Sequence, residues 1–194
     1  MPLPIALAWC AAAASFPLMV NVFHPGIIPN ESVACYLIPS LLFVPSPHPT
    51  LLAVVEAKHG SVCGDGVNST LVMRRSTDYG ATWQTPFFPH RRWAPLRKWG
   101  QPQMVYDRVT ETAILLFSNE TLSASPGGQQ HLNTVAQIQS TDGGLTWTTA
   151  TEVDRGGRAW PLGWAPTSGN GIQLTDTAAR SPVGRLLFSM DTIR

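Results

Sequence analysis

The sequence predicts an all-β chain built from consecutive four-stranded antiparallel units, about two and a half of them, of the kind that form propeller blades. Three observations carry this expectation. Ser76-Thr77-Asp78-Tyr79-Gly80-Ala81-Thr82-Trp83 returns 64 positions later as Ser140-Thr141-Asp142-Gly143-Gly144-Leu145-Thr146-Trp147, and self-similarity at a fixed period marks a stacked or circular architecture. Period-2 alternation and short apolar runs dominate, with no long 3.6-residue pattern after the N-terminal leader. Turn-forming clusters separate these runs at the spacing of antiparallel strands.

The elements follow in order. Residues 36–44 read as a first strand, closed by Pro45-Ser46-Pro47-His48-Pro49. Residues 51–57 and 68–74 are the second and third strands, and the first copy of the repeat turns the chain into a fourth at 84–88. The pattern recurs with strands at 103–107, 113–118 and 134–139, then the second copy of the repeat, then 148–153. A third unit begins with strands at 171–175 and 185–190. The repeat has a turn mechanism: Asp bonds backbone two residues on, Gly supplies positive φ, and Ser and Thr add short bonds. Its Trp is large enough to fill the space between neighbouring sheets. Blades bury their edges by closing into a ring, so two and a half units read as the N-terminal piece of a longer protein or as a truncated product. A self-contained two-sheet sandwich is the alternative, and it leaves the last strand pair without a partner.

Composition narrows the function classes. The chain has 194 residues, 44% hydrophobic and 13% charged, with a net charge of +1. Such a balance implies neither an acidic nor a basic partner, and no basic stripe or recognition module points to nucleic acid. Arg91, Arg92, Arg97 and Lys98 form a local basic cluster, read as a solvated connecting loop. His24, His48, His59, His90 and His131 lack paired ligand spacing, and Asp154, Asp176 and Asp191 form no calcium loop. No metal or cofactor is expected.

Residues 1–20 are apolar and Ala-rich, with no Lys or Arg before Lys58. They read as a signal peptide, with an uncleaved N-terminal anchor as the alternative and the one expected link to a membrane. The sequons at Asn30, Asn68 and Asn119 agree with export. Loss of a leader containing Cys10 leaves Cys35 and Cys63, an even pair able to form a bridge; two buried thiols are the alternative. The expected location is secreted, lysosomal or vesicular, or at the cell surface.

An ordered set of segments then points to a family. It comprises Tyr36-Leu37-Ile38-Pro39, Glu56-Ala57-Lys58, Asp65, Leu71-Val72-Met73-Arg74-Arg75-Ser76-Thr77-Asp78, Gln101-Pro102 through Tyr106-Asp107, Ala113-Ile114-Leu115-Leu116-Phe117, Gly169-Asn170-Gly171-Ile172-Gln173-Leu174 and Gly184-Arg185-Leu186-Leu187. From residue 34 onward the chain resembles sialidases (neuraminidases) of the cellular and microbial type, and the repeat resembles their Asp box. The resemblance implies a six-bladed propeller, of which residues 31–194 would be the N-terminal part. It implies hydrolysis of terminal sialic acids on glycoproteins, gangliosides or oligosaccharides, without a cofactor. Catalysis in that family uses a Tyr nucleophile assisted by a Glu, an acid/base Asp, and three arginines that grip the substrate carboxylate.

Carried over residue by residue, the resemblance makes Asp65, flanked by Gly64 and Gly66, the acid/base; a glycine-flanked turn aspartate is the competing reading. Lys58 stands where the family has an arginine near the C4 substituent of the sugar, keeping the charge without the planar fork; a solvated strand-end lysine is the alternative. Leu37 occupies the position of one carboxylate-gripping arginine. A charge-assisted hydrogen bond contributes about 1.5–3 kcal/mol, so its loss weakens the grip. Tyr36, Tyr79 and Tyr106 match no nucleophile position, and the remaining arginines, the Glu and the Tyr are expected beyond Arg194. Ser76, Asp78, Gly80 and Trp83, with Ser140, Asp142, Gly144 and Trp147, are expected to be structural. Three readings remain: a sialidase-like hydrolase present as an N-terminal fragment, a non-catalytic carbohydrate-binding propeller, and an inactive truncated product.

Overall fold

The computed structural model describes residues 19–64, 67–90, 97–121, 132–154, 164–175 and 184–192. Among these every regular element is a strand. Blade I holds β1 (Val33–Val44), β2 (Thr50–His59) and β3 (Ser69–Ser76), paired antiparallel in that order. Blade II holds β4 (Arg97–Asp107), β5 (Thr112–Thr121), β6 (Leu132–Ser140) and β7 (Thr151–Glu152), again antiparallel. A single parallel pair, Ser69 with Lys98, stitches β3 to β4.

The third unit is a two-stranded start whose strands are each interrupted. Its first strand is split into β8 (Trp164–Pro166) and β9 (Ile172–Gln173), its second into β10 (Leu186–Leu187) and β11 (Met190–Thr192). β8 pairs with β11 and β9 with β10. The chain is therefore a partial propeller, as the sequence predicts.

Three boundaries differ from expectation. The fourth strand of blade I shrinks to one bridge, Phe87 with Met73, because Pro86 and Pro89 bracket it and offer no N–H for a ladder. β4 begins at Arg97, six residues before the expected 103, because Lys98 finds a buried partner there. β8 has no counterpart among the expected strands; three residues ending in Pro carry too little pattern.

Side-chain parity sorts the layers. Along β2, Leu52 and Val54 face blade II, and Val55 and Ala57 face the other way. The blade I–II core joins Leu52, Val54, Leu71 and Met73 to Met104, Tyr106, Leu115, Phe117 and Ile138. On the far side of blade I, Phe23, Ile27 and Ile28 cover Val55, Ala57 and Val72. On the far side of blade II, Leu186, Phe188 and Met190 cover Val105, Ile114 and Leu116.

Both inner strands carry the same bulge. Register shifts fall between Leu37 and Ser40 in β1 and between Gly100 and Gln103 in β4. Each bulge has a left-handed residue followed by Pro: Ile38 with φ 50° before Pro39, and Gln101 with φ 50° before Pro102. The shift reverses parity, so Trp99 before the bulge and Met104 after it share one core.

The two copies of the repeat form corners with matching bonds. Ser76 Oγ donates to Asp78 Oδ1 at 2.7 Å and accepts from Gly80 N at 2.8 Å, while Asp78 takes the Thr82 N–H at 2.9 Å. Ser140 Oγ repeats this with Asp142 Oδ1 and Gly144 N, both at 2.8 Å, and Asp142 takes the Thr146 N–H at 3.0 Å. The second corner docks onto blade I. Arg75 Nε donates to the Gly143 carbonyl at 2.8 Å, and a Cβ on Gly144 would lie 2.6 Å from Leu52. Trp147 packs on the blade I–II core as expected of a filler, and Trp83 is half-buried.

Candidate functional site

Two of the sequence-predicted site residues, Leu37 and Lys58, lie toward one end of blade I, where β2 finishes and β3 begins. Leu37 of β1 pairs directly with Glu56 of β2, and Cys35 pairs with Lys58. Glu56 and Lys58 are two residues apart, so both continue the row of Leu52 and Val54 toward blade II. Both are fully buried and form an ion pair with each other. The reading of Lys58 as a solvated strand-end lysine is therefore corrected: its stem and ammonium lie inside the inter-blade seam. Its Nζ and Glu56 Oε2 satisfy no hydrogen-bond geometry, so their contact is electrostatic.

The second Glu56 oxygen crosses the seam. Oε1 accepts the backbone N–H of Gln101, the left-handed residue of the β4 bulge. Gly100 makes this approach available, since a Cβ there would collide with the Glu56 carboxylate. A second ion pair lies on the next strands: Lys98 Nζ reaches Glu120 at 3.0 and 3.2 Å, and Ser118 Oγ donates to Glu120 at 3.3 Å. Lys58, Ser69, Lys98 and Glu120 are consecutive register partners across β2 to β5. The expectation of a solvated basic loop thus fails for Lys98, which is buried; Arg91 and Arg92 lie outside the described residues, as does the Arg97 side chain.

Asp65 and Gly66 also lie outside the described residues. Their described flanks, Gly64 and Val67, belong to the β2–β3 connection. Cys63 in that connection is bonded to Cys35 of β1, with Cα atoms 5.7 Å apart. The bridge therefore ties the connection to the strand that carries Leu37. Asn68 precedes β3 and its carbonyl accepts the His59 N–H at 3.0 Å. Of the sequon asparagines, Asn30 is exposed, and Asn68 and Asn119 are half-buried.

Other groups stand away from this seam. The repeat corners follow β3 and β6 at their opposite ends; the eight residues of β3 span roughly 23 Å. Arg74 donates to the carbonyls of Val22, Trp83 and Gln84 at 2.7, 2.6 and 2.7 Å, and burial lowers its pKa. Burial, then Glu31, raises the phenol pKa of Tyr36; burial, then Glu111, raises that of Tyr106. Both shifts oppose the activation a Tyr nucleophile needs, and Tyr79 is an exposed turn residue stacked on Phe43 at 6.4 Å. A cleft of about 510 Å³ lies between the C-terminal ends of β1 and β4 and β9, lined by Phe43, Tyr106, Arg108 and Ile172, away from Lys58. Among the described residues no cluster of His, Cys, Asp or Glu is arranged to hold a metal, and no helix is long and apolar enough to cross a membrane. Residues 1–18 of the leader lie outside the described residues.

The seam residues Glu56, Gln101, Lys98 and Glu120 were not singled out as site residues from the sequence, although Glu56 and Gln101 lie in the quoted segments. The recurring residue-Pro pairs at 38–39 and 101–102 were the available signal.

No protein-family model matches the chain. A curated sialidase from Micromonospora viridifaciens is 33% identical over 157 residues, covering 75% of this chain and 24% of the relative. The chain belongs to the sialidase superfamily. Solved structures agree on the fold. The Hadza microbial sialidase Hz136 superposes with a TM-score of 0.66 at 20% identity, over 82% of this chain and 32% of that one. A leech intramolecular trans-sialidase gives a TM-score of 0.68 at 14% identity, over 88% and 42%. The chain thus spans about a quarter of the length of the curated relative.

Proposed function

We propose that this chain is the N-terminal part of a sialidase-like exo-glycosidase that releases terminal sialic acids from glycoproteins, gangliosides or oligosaccharides. The observation that carries the reading is the alignment of Leu37, Glu56 and Lys58 with the start of the Asp65 connection at one end of blade I, in a chain of this superfamily. Asp65 is assigned the acid/base role, protonating the leaving oxygen and then activating water. Lys58, buried and paired with Glu56, is assigned to the floor of the sugar-binding end. The nucleophile is assigned to a residue other than Tyr36, Tyr79 and Tyr106. The Cys35–Cys63 bridge supports a secretory, lysosomal or cell-surface location.

The test is release of sialic acid from a fluorogenic sialoside by the full-length product. Asp65→Asn is expected to lower kcat by at least about a hundredfold. Undiminished turnover in that variant overturns the assignment.

A second reading, a non-catalytic glycan-binding propeller, has a specific observation in its favour. Leu37 brings no charge, and Lys58 is already engaged by Glu56, so neither offers a free cation to a sialic acid carboxylate. Glycan-array binding without hydrolysis supports this reading, and sialoside turnover removes it.

A further inference from the structure

A fully buried carboxylate on one blade that reaches the backbone of the next is an unusual use of a charge. Burying an ion is unfavourable unless its partners are well placed, so the partners of Glu56 show what it does where it sits. Its Oε1 receives the Gln101 N–H, and its Oε2 faces the Lys58 ammonium. Gln101 holds φ 50°, a left-handed conformation unfavourable for an L-residue with a side chain. Gly100 is the residue at which a side chain would displace the carboxylate. The matching bulge of β1 has Leu37 directly opposite Glu56. Glu56 therefore meets both bulged strands, its backbone paired with the residue that opens the β1 bulge and its carboxylate bonded to the β4 bulge. The Gln101 carboxamide oxygen is buried and accepts no hydrogen bond.

We propose that Glu56 is a positioning residue: its carboxylate, paired with Lys58, clamps the left-handed bulge at Gln101 and so sets how inner strands β1 and β4 stand at the candidate site. The clamp rests on the proposed function only for its consequence in turnover; the geometry stands apart from it.

The experiment follows the Gln101 amide by 1H–15N NMR in the full chain. In the parent chain the proton is expected to be shifted downfield and protected from exchange. Glu56→Gln, which replaces a charged acceptor by a neutral one, is expected to move it upfield and speed exchange roughly ten- to a hundredfold. Gly100→Ala approaches the same contact from blade II and is expected to produce the same change, while the amides of Val54 and Met73 report an intact sheet. A Gln101 amide that is unprotected in the parent, or unmoved in both variants, overturns the clamp whether or not a sialoside is cleaved. In the full-length product the clamp predicts a raised KM for the sialoside in Glu56→Gln with a smaller change in kcat, unlike Asp65→Asn. A shifted amide in a parent that turns over no sialoside leaves the clamp standing and overturns the proposed activity.

Discussion

At the residue scale the two repeat corners show how a turn is specified by short-range bonds. Asp78 has its pKa lowered to about 2, chiefly by the Thr82 hydroxyl and N–H and by Ser76. For Asp142 burial is the largest influence and pushes upward, but the Thr146, Ser140 and Leu145 donors together hold the value at about 2. A carboxylate whose folded pKa lies below its unfolded value of about 3.9 stabilises the fold above that value. That contribution fades as pH falls through about 2. The melting temperature is therefore expected to drop between pH ~4 and ~2, and Asp142→Asn to show a smaller drop, measured by circular dichroism. An equal drop in both chains counts against the corner as the source. Tyr79, at φ 57° where the second copy has Gly143, shows that the corner tolerates a side chain where it faces solvent. Gly144 has no such freedom, because Leu52 of the other blade occupies the space.

At the scale of elements, blade I is closed twice at the site end: by the β1–β2 ladder and by the Cys35–Cys63 bridge, which spans 28 positions. Closing a loop of that size in the unfolded chain contributes about 3–4 kcal/mol in the chain-entropy account. Urea unfolding of the Cys35→Ser, Cys63→Ser chain is expected to show a loss of that order, and an unchanged midpoint would deny the bridge any part in stability. Most strands were legible in the sequence because their alternation is local. The fourth strand of blade I is shorter than its alternation predicts, since Pro86 within Gln84 to Phe88 and Pro89 after it leave a single bridge. β8 was under-read for the opposite reason, being three residues whose pairing to β11 depends on a segment 24 positions on.

At the scale of the whole molecule, the three inner strands meet at Asn170. Its Oδ1 accepts from Ser40 Oγ at 2.6 Å, and its Nδ2 donates to the Leu41 carbonyl at 2.6 Å. Ser40 Oγ in turn accepts the Met104 N–H at 3.2 Å, and the Met104 carbonyl accepts from Gly171 N at 2.9 Å. One amide side chain thus links β1, β4 and the third unit, whose remaining regular pairing is two short ladders. Asn170→Ala is expected to release the third unit first, seen as faster proteolysis at 164–192 with blades I and II still protected; uniform proteolysis across the chain contradicts that role.

The sequence by itself determined the all-β class, the two repeat corners, the order of the blades and the family. These follow from alternation, turn chemistry and segment order, which are properties of neighbours along the chain. Only the tertiary structure decided which charges are buried. Lys58 and Lys98 look like surface lysines until Glu56 and Glu120 are seen beside them. It also decided that a carboxylate of blade I grips a bulge of blade II, 45 positions away. Burial and cross-blade contact depend on how sheets stack, and stacking brings together residues that no local pattern relates.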